Sequence, residues 1–126
     1  EAEFHRAVRR VMVLMMIADG VIDDEEITTI REIYKRVASF DLSEERVRQE
    51  AEDARREGLG VHDYLKSLVG SLNDSGKEMV VKAAYFVAAA DGHVSEEERQ
   101  LLNEVGKALE LPSAQFKAVL DELMAA

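Results

Sequence analysis

Apolar residues recur at helical spacing along nearly the whole chain, and no β-branched run alternates with polar residues as a half-buried strand would. We therefore expect an all-α fold. The pattern predicts seven helices, whose approximate ranges are 2–18, 24–40, 44–57, 61–72, 76–90, 96–109 and 114 onward. Short connections between them favour antiparallel neighbours in a bundle.

Two of the predicted helices are apolar on almost every face. The stretch 11–18 contains apolar residues alone, and 79–90 is interrupted only by Lys82. A helix that is apolar all round must be surrounded by protein. The pattern thus predicts that the first and fifth helices pack together at the centre. The third helix is mostly charged and should lie on the surface, with three inward positions: Val47, Ala51 and Ala54.

Each central helix is followed by the same acidic turn. The segment ADGVIDDEE at 18–26 recurs as ADGHVSEEE at 90–98, which is 72 residues later. Each copy opens a charged amphipathic helix. The repetition predicts an internal pseudo-two-fold repeat with copies at about 4–40 and 76–110. Because no long linker divides the chain, both copies should share one core in a single domain over 1–126.

Composition narrows the function classes. The chain has 126 residues, no cysteine and a net charge of −10. Without cysteine it can form no disulfide, thiolate nucleophile or thiolate metal site. So acidic a protein is a poor general binder of nucleic acid or anionic membranes, and its longest apolar run is too short to span a bilayer. The composition better suits the binding of cations or basic protein surfaces, or simple solubility. We expect no nucleic acid and no direct membrane insertion.

The acidic turns have one purely structural interpretation. Asp23 with Glu26, and Ser95 with Glu98, have the spacing of a capping box, in which the first side chain and the glutamate each accept a backbone N–H at the helix start. The glycine of each turn supplies the positive φ that helix ends use. Capping then explains the turns except for the aspartate of each Asp-Gly pair.

The alternative interpretation is a divalent cation site. Asp-Gly-x-Ile-x-x-x-Glu has the form of the second half of a calcium-binding EF-hand loop. The candidate ligands are Asp19, Asp23, Glu26, Asp91 and Glu98.

A standard EF-hand is excluded, because the first and third loop positions would be apolar in both copies: Met15 and Ile17, then Val87 and Ala89. Each turn keeps three or four oxygens, enough for a weak, hydrated calcium, magnesium or manganese ion. Convergence of the two turns would improve the site. Ser95 stands where the first copy has Asp23, which makes the second turn the poorer cation ligand.

No catalytic constellation is evident. His5, His62 and His93 are isolated, and neither a nucleophile elbow nor a phosphate loop is present. We therefore expect no enzymatic activity.

One basic patch stands out in the acidic chain. Arg6, Arg9 and Arg10 lie on the part of the first helix that is expected to be exposed. They either contact an acidic partner or pair with local glutamates.

The repeated apolar helix, Asp-Gly turn and charged helix resemble the TerB (tellurite-resistance) family along the whole chain. The segment 89–94, together with Glu98-Arg99 and Leu109-Glu110-Leu111, is also similar to the TerB-like domain of membrane-anchored J-domain co-chaperones.

The resemblance implies a non-enzymatic helical module of bacterial stress response and tellurite resistance. It implies a cytoplasmic location, peripheral to the inner membrane, and action through protein partners. We also expect a monomer or weak dimer. It also implies divalent cation binding at acidic clusters, which fall here at Asp19, Asp23 and Glu26, then at Asp91 and Glu98. The alternative is a pure docking domain of a larger co-chaperone-like or membrane-tethered protein, without metal binding.

Overall fold

The computed structural model describes residues 3–17, 23–90, 92 and 94–125. Within these residues the chain forms seven α-helices, one short 3-10 helix and no strand, which confirms the predicted all-α fold. The helices are α1 Glu3–Ile17, α2 Asp24–Ala38, α3 Glu44–Glu57, α4 Val61–Leu68, α5 Asp74–Ala88, α6 Glu96–Ala108 and α7 Ser113–Ala125.

Helices α1 and α5 pack against each other more extensively than any other pair of described helices. The prediction that the two apolar helices lie at the centre is therefore confirmed. Both helices carry fully buried side chains, among them Val8, Val11 and Met12 of α1 and Val80 and Val81 of α5. Because so little of either helix can face water, the remaining helices are held around this pair.

The surface position of α3 is also confirmed. Its buried residues are Val47, Ala51 and Ala54, the three that the sequence predicts to face inward. Ser43 caps the helix by accepting a hydrogen bond from the backbone N–H of Arg46 at 3.1 Å.

Several helix ends differ from the prediction. Helix α2 stops at Ala38, before the expected residue 40, because Ser39 adopts a left-handed conformation with φ of 64°. Helix α4 ends at Leu68 and tightens into the 3-10 helix Val69–Ser71. Helix α5 is capped by Asn73, whose side chain accepts from the N–H of Gly76, so it begins two residues before the predicted start at 76. Helix α7 begins at Ser113, one residue before the predicted start at 114.

Of the predicted basic patch on α1, Arg6 is exposed but Arg9 and Arg10 are not, so the expected exposure was wrong for these two, and the alternative of pairing with local glutamates is confirmed for them. Arg9 and Arg10 keep only 5% and 4% of their surface accessible. Both pair with Glu50 of α3, and Arg10 also pairs with Glu57 at 2.9 Å. The local glutamates, rather than solvent, therefore surround these guanidiniums.

Two members of this ion-pair group, Arg10 and Glu57, are stabilised in their charged forms. Burial lowers the pKa of Arg10, but hydrogen bonds to Glu57 and Glu50 outweigh burial, so the pKa is raised above its ordinary value. The hydrogen bond from Arg10 lowers the pKa of Glu57. The guanidinium also lies 5.3 Å from the ring centroid of Tyr64 on α4. Arg10 thus links α1 to both α3 and α4.

Arg10→Ala is expected to lower the free energy of unfolding by about 3 kcal/mol, since it leaves the largely buried Glu50 carboxylate with a weakened set of partners. Chemical denaturation at neutral pH measures the change. Arg56→Ala is the matched control, because its pair with Asp53 is on the surface and should contribute less than about 1 kcal/mol. Equal losses in the two variants would contradict the structural role assigned to Arg10.

A close contact joins α6 to α7 at Gly106. A methyl group at this position would lie 2.6 Å from Cδ1 of Phe116, well inside van der Waals contact. Glycine at this position therefore permits the close approach of Phe116 and is not needed for an unusual backbone angle.

Gly106→Ala is expected to destabilise the protein by about 1–3 kcal/mol, because the Phe116 ring must move to accept the methyl group. Thermal unfolding followed by circular dichroism measures the loss. Gly70→Ala is the control, since a methyl group there meets no atom within 4 Å. If Gly106→Ala were as stable as Gly70→Ala, α7 would be able to shift away from α6 without a loss of stability.

Candidate functional site

Both acidic turns end in a capping box at the start of the next helix. The Asp23 side chain accepts from the N–H of Glu26 at 2.8 Å, and the Glu26 carboxylate accepts from the N–H of Asp23 at 3.0 Å. In the second copy, Ser95 accepts from the N–H of Glu98 at 3.1 Å and Glu98 accepts from the N–H of Ser95 at 2.9 Å. The capping interpretation of these four residues is confirmed.

Of the two turn glycines, only Gly92 lies within the described residues. Gly92 has a φ of 101°, the positive value expected at the end of a central helix. Gly20, Asp19 and Asp91 lie outside the described residues. Two of the five predicted cation ligands are therefore without a described position.

The two capping boxes border one cleft, which we call the acidic cleft. It has a volume of about 450 Å³, and its acidic lining comes from Glu25 and Glu26 at the start of α2 and from Glu98 at the start of α6. Its apolar lining comes from the ends of the two central helices and from α6: Met15, Met16, Val87, Ala90 and Leu101. The structure thus brings Glu26 and Glu98 to a common cavity, whereas Asp23 does not line it.

The carboxylates that line the acidic cleft have few oxygens left to bind a cation. Glu26 and Glu98 each use one carboxylate oxygen, Oε1, in their capping box, and the other oxygen accepts no hydrogen bond from a described residue. The described residues contain no group of three or more histidine, cysteine, aspartate or glutamate side chains that could hold a metal ion. A complete cation site at this cleft would therefore also need Asp19 or Asp91.

The sequence interpretation missed two contributors to the cleft. Glu25 is not among the predicted cation ligands, yet it lines the cavity beside Glu26. Met16 belongs to the stretch 11–18 that the sequence predicts to be surrounded by protein, yet it is only partly buried and forms part of the apolar lining. The helical period places Met15 and Met16 at the last turn before the first acidic segment, which is the signal that could have identified them.

Comparison with known proteins decides the family. Residues 5–121 match the family described as tellurite resistance protein TerB. This chain belongs to the TerB family. The resemblance inferred from the two Asp-Gly turns is therefore confirmed. No curated protein and no solved structure gives a significant match.

The TerB domain shows no helix, among the described residues, with both the length and the apolar character needed to cross a bilayer.

Removing either cap should cost stability. Asp23→Ala and Ser95→Ala are each expected to lower the free energy of unfolding by about 1 kcal/mol, because each leaves a backbone N–H of the first helical turn without its acceptor. Asp23→Ser should be nearly neutral, since serine caps the second copy. Urea denaturation tests all three variants.

Thr28→Ala is the matched control on α2. Its hydroxyl only donates to the carbonyl of Asp24 within the same helix, at 3.1 Å, and alanine has the higher helix propensity. We expect no loss of stability in this variant. Unchanged stability in both cap-to-alanine variants would mean that the capping boxes do not stabilise the protein in solution.

Proposed function

We propose that this TerB domain is a non-enzymatic module of bacterial stress response, including tellurite resistance, and that it binds a divalent cation between its two acidic turns. The observation that carries the proposal is that Glu26 and Glu98, which come from motif copies 72 residues apart, line the same cleft. Carboxylates gathered from two chain segments are the ligands that calcium, magnesium and manganese prefer.

The proposed ligands are Glu26 and Glu98, which line the acidic cleft, together with Asp19 and Asp91 of the two turns. Asp23 does not line the cleft and serves as the N-cap of α2. Binding by few carboxylates and several waters should be weak, with a dissociation constant of about 10⁻⁴–10⁻³ M. Such a site would report millimolar changes in cation concentration rather than hold a permanent structural ion. Folding should not depend on the ion, because the α1–α5 core is complete without it.

The cation would act by changing a surface that protein partners contact. We place the module in the cytoplasm, peripheral to the inner membrane, as the family resemblance implies. The chain contains no cysteine, so a thiol of this domain cannot reduce tellurite. We therefore propose that the domain contributes to tellurite resistance by acting on other proteins.

A second candidate function is a pure protein-docking domain without metal binding, as part of a co-chaperone-like or membrane-tethered protein. It is favoured by the capping boxes, which already use one oxygen of Glu26 and one of Glu98. In that case the acidic turns serve only to begin α2 and α6.

A calcium titration followed by two-dimensional amide NMR separates the two functions, with magnesium and manganese as parallel arms. Cation binding predicts saturable shifts near residues 19–26 and 91–98 with calcium or magnesium, and line broadening of the same amides with manganese, which is paramagnetic. Glu98→Gln should weaken binding, because it removes a carboxylate that lines the cleft while a glutamine there can still accept the N–H of Ser95. Asp23→Ser keeps the cap and should leave binding nearly unchanged, because Asp23 does not line the cleft.

Asp19→Asn and Asp91→Asn test the two ligands outside the capping boxes and should weaken binding further. Thr28→Ala is again the control and should titrate like the wild type. The cation proposal fails if neither calcium nor magnesium produces saturable shifts up to about 10 mM, ten times the weakest expected dissociation constant, and manganese produces no line broadening confined to these residues. The docking function would then stand alone.

A further inference from the structure

A second cleft, separate from the acidic cleft, lies between the N-terminal half of α1, the C-terminal half of α2 and the start of α3. Its volume is about 780 Å³, which is in the range of ligand-binding clefts. It shares no lining residue with the acidic cleft. We call it the arginine cleft and define it by Arg9, Arg31, Arg46, His5, Tyr34 and Phe40.

The lining of the arginine cleft is positively charged in a strongly acidic protein. Among the described ion pairs, none involves Arg31 or Arg46. The described lining includes one carboxylate, Asp41, which already pairs with Lys35 at 3.1 Å. With 26 acidic residues in the chain, two arginines that face a cleft without a carboxylate partner are available for an external anion.

One of these arginines is held in place. The Nε–H of Arg31 donates to the carbonyl of Leu42 at 2.7 Å, just before the Ser43 cap of α3. This bond fixes the side chain and leaves its terminal nitrogens for a carboxylate. Arg46, one turn into α3, is exposed and makes no described side-chain hydrogen bond. A fixed guanidinium loses less conformational entropy when it binds.

An exposed aromatic ring lines the same cleft. Phe40 keeps 56% of its surface accessible, and its ring packs edge-on against His5 with centroids 4.9 Å apart. His5 in turn contacts the rings of Phe4 and Tyr34. The exposed ring is therefore supported from behind, as in the aromatic anchors of protein interfaces, where aromatic residues and arginine are enriched.

We propose that the arginine cleft docks a short acidic peptide segment of a partner protein. Carboxylates of the segment pair with Arg31 and Arg46, and an apolar side chain packs on Phe40. Arginine binds carboxylates with two parallel hydrogen bonds, which orients the segment as well as holding it. The proposal rests on the proposed action through protein partners and does not require a cation at the acidic turns.

Charge argues against a long polyanion in this cleft. Nucleic acids and anionic membranes need an extended basic surface, because each neutralised phosphate adds to affinity. Here the basic lining is limited to three arginines, Arg9 is already paired with Glu50, and the whole chain carries a charge of −10. A short segment with a few carboxylates gains the local attraction without the long-range repulsion.

The test uses a fluorescein-labelled peptide, Ser-Glu-Glu-Leu-Asp-Glu-Leu, and its amide counterpart, Ser-Gln-Gln-Leu-Asn-Gln-Leu. Fluorescence anisotropy at low salt measures affinity, and amide NMR locates the peptide. We expect the acidic peptide to bind with shifts around Arg31, Phe40 and Arg46, and the amide peptide to bind at least about tenfold more weakly.

Arg31→Gln and Arg46→Gln should each weaken binding of the acidic peptide by about tenfold, and Phe40→Ser by a similar factor. Arg55→Gln is the matched control, because Arg55 is an exposed arginine of α3 that does not line the cleft. Arg46→Gln keeps the test valid if Arg31→Gln disturbs the loop at Leu42, since the Arg46 side chain makes no described hydrogen bond.

The proposal is overturned if the acidic peptide does not bind, if both peptides bind equally, or if the two glutamine variants bind like Arg55→Gln. It is also overturned if phosphatidylserine vesicles or an oligothymidylate bind this cleft more tightly than the peptide. A calcium titration of the same samples keeps the outcomes apart. If the cation shifts are present and peptide binding is absent, the docking site alone is rejected. If peptide binding is present and the cation shifts are absent, the cation site alone is rejected.

Discussion

The packing of α1 against α5 is the constraint on which the rest of the structure depends. Both helices are apolar around most of their circumference, so each needs protein on nearly every side. The other helices are arranged around this pair. The last turns of both central helices also border the acidic cleft, through Met15 and Met16 of α1 and Val87 of α5. The central packing therefore brings together the starts of α2 and α6, which follow in the chain.

The arginines of this acidic protein have two different roles. Arg10 is buried and pairs with Glu50 and Glu57, so it connects α1 to α3. Breaking such a pair is costly because a charge is left in a poorly solvated place. Arg31 and Arg46 are different, since they face a cleft and have no described ion pair. One group stabilises the bundle, and the other is available to an acidic partner.

The acidic turns combine a structural role with a proposed binding role in the same residues. A capping box needs only one oxygen of Glu26 and one of Glu98. The second oxygen of each carboxylate remains for the cleft. This division explains why the motif Asp-Gly followed by a capping box is compatible with cation binding as well as with a purely structural role. It also explains why a serine can replace Asp23 in the second copy without loss of the cap.

The sequence by itself determined the all-α class, the two central helices, the inward face of α3 and both capping boxes. These features depend on residues close together in the chain: helical periodicity, apolar runs and the spacing of a cap from its glutamate. The predicted helix ends were less accurate. The end of α2 was placed too late, because a serine in the left-handed conformation, here Ser39, gives no strong signal in the local sequence. Only the tertiary structure decided that Arg9 and Arg10 are buried, that Glu26 and Glu98 share a cleft, and that Arg31 and Arg46 line another. Each of these outcomes depends on which helix packs beside which, and no local pattern specifies that choice.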